Sequence, residues 1–246
     1  MDTIAVLGLG EAGGLIAADL RAAGADVRGY DPAVPGDVPD ALTAADGADV
    51  VLSLNAARAA RAALESVLSA LGAGAVYADL NTAAPALKRE LAGVAAAAGV
   101  LFADVALLAP VPGRGLRTPA LASGTGAQAF ADAFEPLGMP VRVVSRQAGD
   151  AATLKLLRSV FMKGLAACAI ESIDAARAAG HAEWLEDEIA GVIGRPLLDR
   201  LLEGSKLHAA RRVDELEAAQ ELLLELGVEP RIAAASAALL AELAGR

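Results

Sequence analysis

Gly8, Gly10 and Gly13 lie between an apolar β-branched run, Ile4 to Leu7, and an Ala/Leu-rich helical stretch. In that setting glycines can cradle a phosphate. Gly8 permits a tight turn, Gly10 lets a pyrophosphate approach the backbone, and Gly13 lets the helix pack on the strand. Backbone N–H groups along Gly8, Leu9, Gly10, Glu11, Ala12 and Gly13, with the positive end of the helix dipole, then face the anion. Glu11 is expected to point outward as a first-turn helix acid. Read as turn glycines alone, these residues would need neither flanking element. The predicted ligand is a dinucleotide, NAD or NADP.

Asp31 ends a second strand about 20 residues beyond the glycines, where a carboxylate accepts hydrogen bonds from adenosine ribose hydroxyls. It would repel a 2′-phosphate, which favours NAD, while Arg28 and the following loop compete with that preference. Asp31-Pro32 also fits a turn with the carboxylate in solvent. Ligands of open α/β sheets bind outside the carboxyl ends of the strands. Ser53, Leu54 and Asn55 follow the third strand, and Asn81 and Thr82 follow the fourth, so they are further candidates. Asn81 or Thr82 capping the next helix is the alternative.

Three basic clusters lie beyond. Lys155, Arg158, Ser159 and Lys163 share one helical face, either a solvated basic face or a site that attracts a carboxylate or phosphate. Gly113 and Gly115, with Arg114 or Arg117, offer N–H donors and a guanidinium fork for an anion, or form a plain surface loop. His208, Arg211 and Arg212 lie within about one helical turn, and as a basic cluster they can pair with the neighbouring Asp214, Glu215 and Glu217.

These residues need elements to hold them. Strands are predicted at Ile4 to Leu7, Asp26 to Tyr30, Val50 to Leu54, Ala75 to Asp79, Leu101 to Leu107, Ala120 to Ser123 and Val141 to Val144. Helices are predicted at Ala12 to Ala23, Ala57 to Leu71, Ala84 to Ala98 and Ala127 to Phe134. This is the pattern of an α/β Rossmann fold, a doubly wound and mostly parallel sheet. After Gly149 the alternation stops and a smaller all-α domain follows. One apolar stripe is marked by Leu154, Leu157, Phe161, Leu165 and Cys168, and further helices are expected at Ala182 to Leu202, Ser205 to Leu226 and Ile232 to Ala244. The expected domains are 1–147 and 148–246. The second is small for an independent core, so part of its apolar surface is expected against the first domain or a second subunit, and a homodimer follows.

Composition excludes several classes. A net charge of -10 and a pI near 4.7 repel nucleic acid and anionic membranes. One cysteine, Cys168, cannot form an internal disulfide and reads as a small buried hydrophobe. Two histidines, His181 and His208, lack ligand-spaced partners, so no metal is expected. The lone cysteine fits the cytoplasm; the apolar stretch Leu91 to Gly113 is broken by Asp104, Pro110 and glycines, so no membrane helix is expected, and the N-terminus shows no basic leader, so no targeting segment is expected.

The run Gly8 to Leu20 resembles the opening of the β-hydroxyacid dehydrogenases, which include 3-hydroxyisobutyrate and 6-phosphogluconate dehydrogenases. Asp79-Leu80-Asn81-Thr82 with Pro85 is similar to their nicotinamide-side segment, and Gly149 to Lys155 to their helix with an essential lysine six residues after a glycine. The runs Leu154 to Leu165 and His208 to Leu216 resemble a 6-phosphogluconate-dehydrogenase-like branch whose short C-terminal domain has no assigned function. The resemblance implies hydride transfer between nicotinamide and a small anionic hydroxy acid or its keto or semialdehyde counterpart. Lys155 would be the general acid/base, activated by burial and neighbouring cations. His208 and Arg211 would serve as substrate-phosphate ligands across a dimer. Ser159 replaces the family's asparagine, and Ala109 to Gly115 replaces its Ser-Gly-Gly loop, so substrate recognition must differ. An imine reductase, or a cofactor-sensing protein without turnover, are the other readings.

Overall fold

The computed structural model describes residues 3–245. Contacts divide the chain into two compact units, Met1–Lys155 and Leu156–Arg246. The first unit holds strands β1 (Thr3–Leu7), β2 (Asp26–Tyr30), β3 (Val50–Ser53), β4 (Val76–Asp79), β5 (Leu101–Leu107), β6 (Ala120–Ser123) and β7 (Val141–Ser145). They form one sheet in the order β2-β1-β3-β4-β5-β6-β7. All neighbours are parallel except β5 and β6, which run antiparallel.

Both faces of the sheet are covered, which is why its strands read as continuous apolar runs. Along β1, Ile4 and Val6 join a core with Ile16 and Leu20 of α1 (Glu11–Ala22) and Phe130 of α5 (Ala127–Phe134). The alternate residues Ala5 and Leu7 join the opposite core, with Ala44 of α2 (Ala41–Ala45), Leu64 of α3 (Ala60–Glu65) and Leu91 of α4 (Pro85–Ala97). The strand order reverses about β1. The loops after β1 and β3 therefore diverge at the switch point, where such sheets bind ligands.

Long helix α6 (Asp150–Ala178) begins in the first unit and continues into the second. The second unit adds α7 (Ala182–Ile193), α8 (Arg195–Leu207), α9 (Ala209–Glu225) and α10 (Arg231–Ala244). Its best-packed pair is α9 and α10, joined through Leu216, Ala233 and Leu240. Gly164 of α6 lets α10 come close: a Cβ there would meet Ile232 Cγ2 at 2.9 Å.

Several expectations need correction. The helix expected at Ala57 to Leu71 is broken into a 3-10 turn, α3 and a second 3-10 turn, with the Ser66 hydroxyl bonded back to the Ala63 carbonyl. Helix α2 was not expected; Asp40 caps it by accepting from Thr43 N–H at 2.7 Å. The helix expected from Ala182 to Leu202 is interrupted at Gly194, whose φ of 84° no helix allows, with Pro196 opening the next. The helix expected from Ser205 starts instead at Ala209, after a break at His208, and Ser205 belongs to α8.

Helix α6 also packs through a different face than its large residues mark. Leu154, Leu157 and Phe161 are 42%, 39% and 69% exposed, and Cys168 is exposed rather than buried. The buried positions are Ala151, Ala152, Leu156, Ser159, Lys163, Ala166, Ala167, Ala169 and Ile173. A stripe of small residues brings helices close together, and close packing outweighs the size of single side chains. No helix among the described residues is long and apolar enough to cross a membrane.

Candidate functional site

The glycine turn joins β1 to α1. Gly8 has φ +101°, and a Cβ on it would stand 2.4 Å from the Leu54 carbonyl oxygen in the loop after β3. A Cβ on Gly13 would stand 1.9 Å from the Gly8 carbonyl oxygen. Both positions are closed to any other residue. Gly10 is different: a Cβ there meets nothing within 4 Å, and no side chain caps the helix it opens. The space beside Gly10 and the uncapped first turn of α1, with its inward dipole, suit a pyrophosphate. Glu11 is exposed, as its place in the first turn requires.

Asp31 is tied to this turn. Its Oδ2 accepts from Leu9 N–H at 2.8 Å, and its Oδ1 accepts from Ala33 N–H at 2.8 Å and Val34 N–H at 3.1 Å. Partial burial works against the charged form, but the amides of Ala33, Leu9 and Val34 outweigh it and hold the carboxyl below its ordinary 3.8. Asp31 is thus both a turn former and a fixed negative charge beside the glycines.

The ends of β3 and β4 are linked by side chains. Asn81 Oδ1 accepts from Asn55 N–H at 2.5 Å, and Ser53 Oγ accepts from Asn55 Nδ2 at 3.0 Å and Asn81 Nδ2 at 3.1 Å. Asn81 Nδ2 also donates to Asp79. Neither Asn81 nor Thr82 caps α4, which follows Ala84 without a side-chain cap. Thr82 instead meets Lys155: the Lys155 Nζ donates to Thr82 Oγ1 at 2.7 Å, across 73 positions of sequence. The glycine turn, the Asn55–Asn81 link and the Thr82–Lys155 contact all follow carboxyl ends of strands or the first turns of α6.

Residues 3–130 match the NAD binding domain of 6-phosphogluconate dehydrogenase, more than half of the chain. The chain belongs to that NAD-binding family. Residues 176–243 match a domain of unknown function, DUF1932. A conserved hypothetical protein from Sinorhizobium meliloti 1021 is 31% identical, with 98% of this chain and 88% of that one covered and a TM-score of 0.74. Mycobacterium tuberculosis 3-hydroxyisobutyrate dehydrogenase, solved with L-serine, shares the fold at 22% identity, with 100% and 94% covered and a TM-score of 0.83. An uncharacterised 28.5 kDa protein of Methanothermus fervidus is 30% identical over 100 residues, 39% of this chain and 40% of that protein, so the match spans less than half of that curated relative.

Within this 6-phosphogluconate-dehydrogenase-like frame, two of the expected anion sites are already committed to other partners. In the loop after β5, Gly115 N–H and Arg114 N–H donate to the Val111 carbonyl, and Leu116 N–H donates to Asp19 Oδ2 of α1 at 2.8 Å. A carboxylate therefore already sits against this loop, and a second anion there meets its repulsion. Gly113 and Arg114 are exposed on its outer side.

The basic row of α6 divides in the same way. Arg158 is exposed, whereas Ser159 and Lys163 are buried. Lys163 Nζ donates to Glu215 Oε2 at 2.5 Å and to Ser159 Oγ at 3.1 Å. Burial pushes the Lys163 ammonium below its ordinary range; Glu215 opposes the shift, and Arg212 and Arg211 add to it. Arg212 is bonded to Ser205. His208 sits at the break between α8 and α9, and Arg211 is exposed on the first turn of α9. Glu215, one of the acids the sequence offered to the second basic cluster, is thus bonded to Lys163 of the first.

One polar network escaped sequence reading. Lys88 of α4 is 1% exposed, and Asp79 and Asp104 are fully buried. Lys88 Nζ donates to the Asp79 carbonyl at 2.9 Å and lies 2.8 Å from Asp79 Oδ2 and 3.4 Å from Asp104 Oδ1. Burial disfavours the ammonium, but Asp79 and Asp104 overcome it and raise the lysine above its ordinary value. The signal was available: an aspartate inside each of two neighbouring apolar strands requires a buried cation.

Proposed function

We propose that this chain is an NAD(P)-dependent oxidoreductase acting on a small anionic hydroxy acid or its keto or semialdehyde counterpart. The observation that carries the reading is the 2.7 Å contact of Lys155 Nζ with Thr82 Oγ1, beyond the carboxyl end of β4. A bound nicotinamide would supply the hydride acceptor or donor. The chain supplies the rest: amides at the glycine turn for the pyrophosphate, and Lys155 to exchange the substrate oxygen's proton. Thr82 accepts from Lys155 and holds the amine in one orientation until substrate replaces or joins that bond.

Asp31 favours NAD, because a fixed carboxylate beside the turn repels a 2′-phosphate. The fold shared with a dehydrogenase solved with L-serine, itself a small hydroxy acid, supports a substrate of that size with a carboxylate. The different loop after β5 argues for a different recognition of its distal end. The same reading includes a second copy of the chain. Leu154, Leu157 and Phe161 form an exposed apolar stripe, and the 91-residue helical unit, Leu156–Arg246, divides its buried apolar residues among small separate clusters.

The test is a panel of hydroxy and keto acids assayed with NAD and NADP, for wild type and Lys155→Ala. The expected result is turnover with at least one acid and a loss of about 10²-fold to 10⁴-fold in the variant, with cofactor affinity retained. A protein that binds the cofactor and turns over none of the acids would be a cofactor sensor instead.

A further inference from the structure

We propose that Asp104, which faces Lys88, is a positioning residue that fixes Lys155 against Thr82; the inference rests on the role proposed for Lys155. Helix α6 starts after Gly149, a residue with φ +98° and no side chain with which to cap it. The sheet caps it instead. Asp104 Oδ2 accepts from Gly149 N–H and Ala152 N–H, each at 3.1 Å, and Ser123 Oγ accepts from Ala151 N–H at 3.0 Å. Ser123 in turn donates to Asp104 Oδ2 at 3.0 Å, and the two residues are paired across β5 and β6. Two strands thereby hold the orphan donors of the first helical turn, and Lys155 follows Ala152 by less than one further turn.

Lys88 fastens both sides of the Lys155–Thr82 contact. Its hydrogen bond goes to the carbonyl of Asp79, the last residue of β4, from which the chain runs on to Asn81 and Thr82. Its charge faces Asp104, which holds the helix that carries Lys155. One ammonium stands against two buried carboxylates, so negative charge is left over. That charge lies at the positive end of a 29-residue helix, where the dipole favours it. An aspartate at position 104 therefore orients α6 electrostatically as well as by hydrogen bonds. Glycine at 149 is required for a second reason, since a Cβ there would meet the Pro85 carbonyl oxygen of α4 at 2.9 Å.

The test compares wild type with Asp104→Asn, which keeps the side-chain size and removes the charge, and with Ser123→Ala, which removes one amide acceptor. Two measurements are made: steady-state kinetics with the best acid of the panel, and the ¹³C signal of reductively methylated Lys155, assigned through Lys155→Arg and followed against pH. For Asp104→Asn the expected result is a tenfold to hundredfold fall in kcat with cofactor KM changed less than twofold, together with a displaced Lys155 signal and titration. Ser123→Ala should move the same quantities less. An Asp104→Asn protein that melts earlier but keeps kcat and the Lys155 signal would show a structural role only and overturn the proposal. If wild type turns over no acid, the catalytic reading fails by itself, and the Lys155 signal alone decides whether Asp104 positions the lysine.

Discussion

Gly10 and Gly13 illustrate how residues of one type in one motif serve unlike ends. The 1.9 Å approach at Gly13 is an internal packing demand, so Gly13→Ala should destabilise the protein at the upper end of the ~1–3 kcal/mol overpacking range. Gly10 has open space and an ordinary backbone, with φ -62°. Gly10→Ala should leave stability within ~0.5 kcal/mol and weaken NADH binding at least about tenfold, because the methyl occupies the pyrophosphate's approach. Thermal melts beside cofactor fluorescence titration separate the two; equal losses of stability would contradict the distinction. Asp31 allows a pH test. Its folded pKa is depressed, so its contribution is present above the unfolded value of about 3.8 and is lost as pH falls through the lower folded value. The stability gap between wild type and Asp31→Asn, ~0.5 kcal/mol or less after solvent screening, should close below that point in acid denaturation curves.

At the scale of elements, α6 carries the largest difference between pattern and structure. Its leucines and Phe161 suggested the packed face, yet the packed face is lined by alanines with Ser159 and Lys163. Burial of Lys163 has a measurable consequence. Because its folded pKa lies below the unfolded 10.5, the folded state releases the proton first, and stability rises with pH between the two values. Denaturant midpoints of wild type and Lys163→Met, compared from neutral pH toward 10.5, should diverge in favour of wild type; a constant gap would contradict the burial. The breaks at Gly194 and His208 were partly legible. Gly194 precedes Arg195-Pro196, a helix-opening pair, and Pro is well suited to a first turn. Nothing in the run Gly204 to Ala210 marks His208 as the break, and Gly204, which falls between two of the expected helices, lies inside α8.

For the whole molecule, the proposed second copy predicts a sedimentation mass of twice 24.6 kDa at micromolar concentration. Phe161→Lys, which puts a charge at the most exposed residue of the stripe, should shift the protein toward monomer without lowering its helix content. A wild-type monomer would remove the dimer from the reading. The two units also differ in how readily the sequence reveals them. The continuous apolar runs of the strands and the period-3.6 pattern of the helices in the first 145 residues follow directly from a sheet covered on both faces. The helical unit has small residues on its contacting faces, so hydrophobic size is a poor guide to which face is turned inward.

The sequence by itself determined the seven strands, the glycine turn and the change to helices alone, because local spacing and chain chirality are enough to specify a Rossmann sheet and its first loop, while the resemblance of its motifs pointed to the family. It also placed Lys155 six residues after a glycine, near the start of a helix. Only the tertiary structure decided which polar groups meet. Thr82 and Lys155 are 73 positions apart, and Lys88 lies between the aspartates it joins, Asp79 and Asp104. Such pairings arise when buried charges and uncapped helix donors are brought together in a low-dielectric interior, where each must find a partner whatever its distance along the chain.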